Sequence, residues 1–144
     1  MARSLLKCLL RLAPLMYMAA IWAQSAYFQP ESVMHLPLTT LVPLGIVFEA
    51  LHLVQFGILY GLLVLSLCTF GPLTKRKNTI AVAMAVLYAL TDELHQYFVP
   101  FRSATVSDLV KNVIGIALVW LIIHKVSRSG NSSLWNYLSG IHKR

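Results

Sequence analysis

Acidic residues are scarce in this chain. There are five in 144 residues: Glu31, Glu49, Asp92, Glu93 and Asp108. Charged residues of both signs make up 12%, against 58% hydrophobic. Soluble domains carry about 25% charged residues, so this inventory cannot cover a water-facing surface. Cysteine is also rare. Cys8 and Cys68 stand in apolar surroundings, which excludes a disulfide framework or a thiolate metal site. Both read as small hydrophobes. The length allows one domain, 1–144.

Long apolar runs are what the chain has in abundance, and its mean hydropathy is +0.70. The runs cover about 12–28, 42–70, 79–99 and 106–124. Each approaches or exceeds the roughly 20 residues a spanning helix needs. The second is longer than needed, so it tilts or begins above the hydrocarbon. The pattern predicts an all-α integral membrane bundle of four transmembrane helices. The tail 125–144, with Leu134, Trp135, Tyr137, Leu138 and Ile141, reads as a short amphipathic helix in the interface. The first run also has signal-peptide features, a basic start and the small-residue step Ala23-Gln24-Ser25. It reads instead as a retained span, because its loss would strip three spans of a packing partner.

The net charge of +7 does not imply nucleic acid, because the basic residues lie between apolar runs as topology signals do. Arg3, Lys7 and Arg11 precede the first run, and Lys75, Arg76 and Lys77 join the second to the third. Lys125, Arg128, Lys143 and Arg144 follow the fourth. Only Arg102 and Lys111 fall on the other side. The expectation is a multi-pass protein of the cell membrane with both termini cytoplasmic. Close helix packing is expected from Gly57 and Gly61, from Ala81, Ala85 and Ala89, and from Gly115.

Four of the five acids fall inside or at the mouth of these runs. An ionisable group at the centre of a span costs at least about 2.5 kcal/mol, so it faces the bundle interior and marks function. Glu49 and His52 are i,i+3; Asp92, His95 and Gln96 are i,i+3,i+4; Asp108, Lys111 and Asn112 repeat that spacing. Each set shares one helix face. Spans two, three and four are therefore expected to converge on one outward-opening polar pocket, with Arg102 folding over the carboxylates.

Three chemistries fit these residues. Arg102, His95 and Lys111 can balance the carboxylates while the cluster recognises a polar head group. Glu49-x-x-His52 and Asp92-x-x-His95 can form a metal site of the kind seen in bundle carboxylate proteins. The carboxylates can also act as acid and base, since burial beside a like charge raises a carboxyl pKa. A plain structural reading, a buried network fixing helix register, stands beside all three and applies most to Gln55, Lys111 and Asn112.

The stretch Thr91-Asp92-Glu93-Leu94-His95-Gln96-Tyr97-Phe98-Val99-Pro100-Phe101-Arg102, followed by Asp108, Asn112 and Gly115, resembles the VanZ-like family. That family has an acidic pair, His-Gln and a Pro before an Arg. An Asp, a polar residue and a Gly follow on its last helix. His52 matches its histidine on the second span. Phe101 stands where a Gly is usual, Phe48 and Glu49 where Asp-Lys is frequent, and Val119 where a further Gly is expected. Losing that Lys makes the site more acidic. The resemblance implies a small bacterial membrane protein of the cell envelope, in a family whose founding member is linked to resistance to teicoplanin.

Taken together, the expected function is recognition or modification of an amphiphilic envelope molecule, a membrane lipid or a lipid-linked species, with no cofactor. In a catalytic version Asp92 or Glu93 is the acid or base, and His95 orients or relays a proton. Glu49, His52, Gln96, Arg102, Asp108 and Asn112 bind. The rival is a non-catalytic lipid-binding, transporter or interaction protein. The residues leave oligomeric state open. The apolar stretches Val54–Phe70, apart from Gln55, and Ile80–Leu90 argue for a one-sided site rather than a path through.

Overall fold

A computed structural model describes residues 2–27, 37–99 and 105–128; the side chains of 2, 3, 27, 38–50 and 52 fall outside that description. Glu31, Arg102, the expected tail helix beyond 128, and the side chains of Glu49 and His52 are therefore not placed. Four helices make up the fold, and no strand occurs among the described residues: α1 (Ala2–Tyr27), α2 (Leu38–Cys68), α3 (Lys75–Phe98) and α4 (Val106–Arg128).

The helices run past the apolar stretches that announce them. α1 begins ten residues before position 12, α3 begins at Lys75 rather than 79, and α4 continues to Arg128 rather than 124. Hydropathy reports where apolar side chains collect, whereas the backbone ladder continues through Leu, Lys, Arg and Ala, all good helix formers. The ends are set by local chemistry. Thr74 caps α3 by accepting the Lys77 amide at 3.2 Å. Thr105 caps α4, accepting the Asp108 amide at 3.2 Å while its hydroxyl donates to Asp108 Oδ2 at 2.6 Å. Gly71, at φ +122°, turns the chain between α2 and α3 in a conformation other residues rarely adopt.

The bundle runs up-down-up-down. α2 packs most extensively on α4, and also on α1 and α3; α3 completes the bundle against α4 and α1. α1 and α4 thus flank opposite sides of the α2–α3 pair. The near end gathers the start of α1, the end of α2, the start of α3 and the end of α4. There Arg11 donates to Thr69 Oγ1 at 2.9 Å and stacks over Phe70. The far end gathers the opposite termini.

Small residues set the separations. Ala81, Ala85 and Ala89 are fully buried along one stripe of α3. A Cβ on Gly115 would lie 1.9 Å from the Leu53 carbonyl oxygen, so α4 meets the α2 backbone directly. Val119, one turn further, fills the space left by Gly57 and Gly61. Phe56, Leu59, Tyr60, Leu63 and Val64 of α2 and Ile21 of α1 fill the core.

The outside is apolar. Leu5, Leu9, Leu15, Met16, Leu87, Leu94, Leu121 and Ile122 are all exposed, on a scale that soluble monomers do not show. Among the described residues, two helical stretches are long and apolar enough to cross a membrane, Ser4–Ala26 and Val106–Arg128. α2 adds the apolar segment Leu53–Cys68.

Candidate functional site

The stripe of α3 that is alanine in its first half becomes polar at its far end. Asp92, Glu93 and Gln96 occupy the same inward side and are all buried. Neighbouring positions on a helix differ by about 100°, so Asp92 and Glu93 cannot face one neighbour. With α1 and α4 on opposite sides, each carboxylate turns to a different helix.

Asp92, 0% exposed, turns to α1. Ser25 Oγ donates to its Oδ1 at 2.6 Å, and Gln96 Nε2, one turn along α3, donates to Oδ2 at 2.8 Å. Gln96 Nε2 also lies 3.4 Å from Ser25 Oγ. Charge-assisted bonds of this kind hold a buried carboxylate firmly. His95 turns to α1 as well, where its ring stacks on Trp22 with centroids 3.7 Å apart. Its Nδ1 is buried and has no hydrogen-bond partner among the described residues.

Glu93 turns to α4. Asn112 Nδ2 donates to its Oε1 at 3.3 Å. Asn112 is fully buried, and its Oδ1 has no partner among the described residues. Glu93 also borders an open groove of about 300 Å³ between α3 and α4, lined otherwise by Leu94, Tyr97, Thr105, Val106 and Leu109. One acidic group thus stands beside a mostly apolar slot that opens through the side of the bundle. Asp108 lies above it, bonded by Thr105 and by Lys111 Nζ at 3.0 Å. These two contacts are those of a helix cap and a neighbouring ion pair.

Among the described residues, those expected in a single pocket between spans two, three and four fall on two sides of α3. Glu93, Asn112 and the Asp108–Lys111 pair gather on the α3–α4 side. Asp92, His95 and Gln96 gather on the α1–α3 side. The physical reason is the placement of α1, which takes a full share of the far-end polar packing. Ser25 and Trp22 of α1 join the cluster without having been expected there. Their one sequence signal was the polar step Gln24-Ser25 in an apolar run, which also reads as a cleavage site. Gln24 likewise has a role, accepting from Gln55 Nε2 at 3.2 Å across α1 and α2.

Glu49 and His52 belong to α2, but their side chains are outside the described residues, as is Arg102 altogether. Gly57 against Gly115 aligns the parallel helices α2 and α4, so position 52 lies at about the height of 110, between Asp108 and Asn112. Of the proposed metal set Glu49, His52, Asp92 and His95, the placed pair offers little: Ser25 and Gln96 occupy Asp92, and Trp22 covers a face of His95. Among the described residues no group of three His, Cys, Asp or Glu converges.

Neither the curated proteins nor the solved structures contain a match to this sequence. A family model, VanZ/LLP1, matches residues 3–127. The match spans all four helices, including the Asp92–Gln96 stretch of α3 and the Asp108–Gly115 stretch of α4. The chain belongs to the VanZ/LLP1 family.

Proposed function

We propose that all four helices span the cell membrane with both termini cytoplasmic, and that the protein recognises an amphiphilic envelope molecule entering sideways between α3 and α4. At 1.5 Å per residue the helices are about 35–46 Å long, enough for a hydrocarbon core of about 30 Å. α3 carries charge at both ends, yet Asp92 and Glu93 are turned inward, as ionisable groups within a span must be.

The observation that carries the reading is the groove beside Glu93. Leu94, Tyr97, Val106 and Leu109 offer an apolar wall for a chain, and Glu93 with Thr105 offers polar contacts to a head group. Glu93 accepts hydrogen bonds, so it favours a head group presenting hydroxyl or ammonium donors. Arg102, in the segment that joins α3 to α4, is the candidate to hold an anionic part of the same ligand. Recognition is favoured over modification. Of the three residues expected to catalyse, only Glu93 lines this groove, while Asp92 and His95 are engaged by α1. In the cell the expected consequence is a change in envelope chemistry, with altered sensitivity to teicoplanin-type glycopeptides as the phenotype to score.

Lipid analysis of the purified protein tests the groove. The wild type co-purifies with an amphiphile, and Leu109→Trp, which fills the slot, and Glu93→Gln both lose it while inserting normally. Retention by both variants removes the groove from the function. Topology has its own readout: an external thiol reagent labels Ser103→Cys and not Arg76→Cys in whole cells. The opposite labelling pattern overturns the orientation.

A further inference from the structure

The near end of the bundle carries a second cavity, independent of the groove beside Glu93. It has a volume of about 200 Å³ and lies between the first turn of α3 and the last turns of α4, where Thr74, Lys75, Asn78, Ile123, His124 and Ser127 line it.

Its chemistry has one sign. Asn78 Oδ1 accepts the Tyr60 hydroxyl at 2.5 Å. That bond fixes the amide and leaves Nδ2 as a donor. Lys75 contributes an ammonium group. Thr74 satisfies the Lys77 amide, so the preceding amides of this first turn remain as donors that favour an anion. Ser127 is turned to its own helix, donating to the His124 carbonyl at 2.9 Å. Lys125 and Arg128, in the last turn of α4, add positive charge to the same end. The five acidic residues all fall within 31–49 and 92–108, so none belongs to the segments that build this end.

We propose that this cavity binds the head-group phosphate of an anionic membrane phospholipid, with Lys75 and Asn78 Nδ2 contacting the phosphate oxygens. Basic pockets between membrane helices recognise lipid phosphates in this way. A lipid fits better than a free anion because the cavity has apolar neighbours. Leu73 and Ile123 form part of its wall and offer apolar surface to the start of an acyl chain.

The test uses the full chain in phosphatidylcholine nanodiscs doped with phosphatidylglycerol, with retained lipid counted by native mass spectrometry after release into detergent. The wild type keeps phosphatidylglycerol in preference to phosphatidylcholine. Lys75→Gln lowers that preference about fivefold, the effect of one basic residue near a membrane surface. Asn78→Asp keeps the acceptor for Tyr60 but turns the donor into a negative charge, and it abolishes the preference. Arg76→Gln removes the same charge outside the cavity and leaves the preference intact. Should Asn78→Asp fail to fold, the exposed positions 75 and 76 still decide the matter. Equal losses for Lys75→Gln and Arg76→Gln would reduce the effect to diffuse charge and overturn the site. Displacement of the lipid by millimolar inorganic phosphate would identify a free-phosphate site and overturn the lipid assignment.

Discussion

The two halves of α3 bury the same stripe of the helix and do opposite things. In the near half, Ala81, Ala85 and Ala89 are small, apolar and fully buried, and they let neighbouring helices approach. In the far half the same stripe carries Asp92, Glu93 and Gln96, and contact is made through hydrogen bonds to α1 and α4. The near half is held by shape, where an added atom is costly. The far half is held by partners, where a removed atom is costly. A recognition site fits the second kind of region, because polar groups there can exchange a protein partner for a ligand.

The largest effect is expected from Gly115→Ala, at a second contact held by shape, that of α4 on α2. The new Cβ meets the Leu53 backbone rather than a flexible side-chain end, so α2 and α4 must separate. The expected loss is at least the roughly 1–3 kcal/mol of ordinary overpacking, seen as a lower melting temperature in detergent. Gly61→Ala, whose Cβ meets only Val119 at 3.9 Å, serves as the control and leaves the melting temperature nearly unchanged. Equal effects would show that α2 and α4 are not packed as described.

A smaller loss is expected in the partner-held half. Asp92→Ala leaves the buried Ser25 and Gln96 without their acceptor, at about 1–3 kcal/mol for a stranded group. Asp92→Asn keeps one acceptor and retains part of that stability. A neutral outcome for Asp92→Ala, read by the same thermal scan, would mean that α1 does not depend on this bond. The smallest effect belongs to Lys111→Ala. Its pair with Asp108 is partly solvated, and such pairs are worth about 0.2–1 kcal/mol. A drop as large as that of Asp92→Ala would make Lys111 part of the buried site.

α1 shows where sequence reasoning stopped. Its apolar character was legible, and so was the cost of removing it, but not where it begins. Cleavage after Ala23-Gln24-Ser25 would take away the hydroxyl bonded to Asp92 and the Trp22 ring stacked on His95. That α1 and α3 meet was not legible, because a helical pattern fixes which residues share a face but not which helix that face meets. Asp92 meets Gln96, and Asp108 meets Lys111, at the spacings that put each pair on one helix face. Joining the groups into one pocket required knowing the order of helices around α3.

Composition and periodicity by themselves determined that this chain is helical, rich in apolar surface, and forced to turn Asp92 and Glu93 inward, because helical repeat and charge cost are local properties of the chain. Only the tertiary structure decided that Asp92 belongs to α1 and Glu93 to α4, and that the groove opens beside Glu93. Those outcomes depend on how far apart whole helices stand, and contacts distant in sequence, such as Gly115 against Leu53, set that distance.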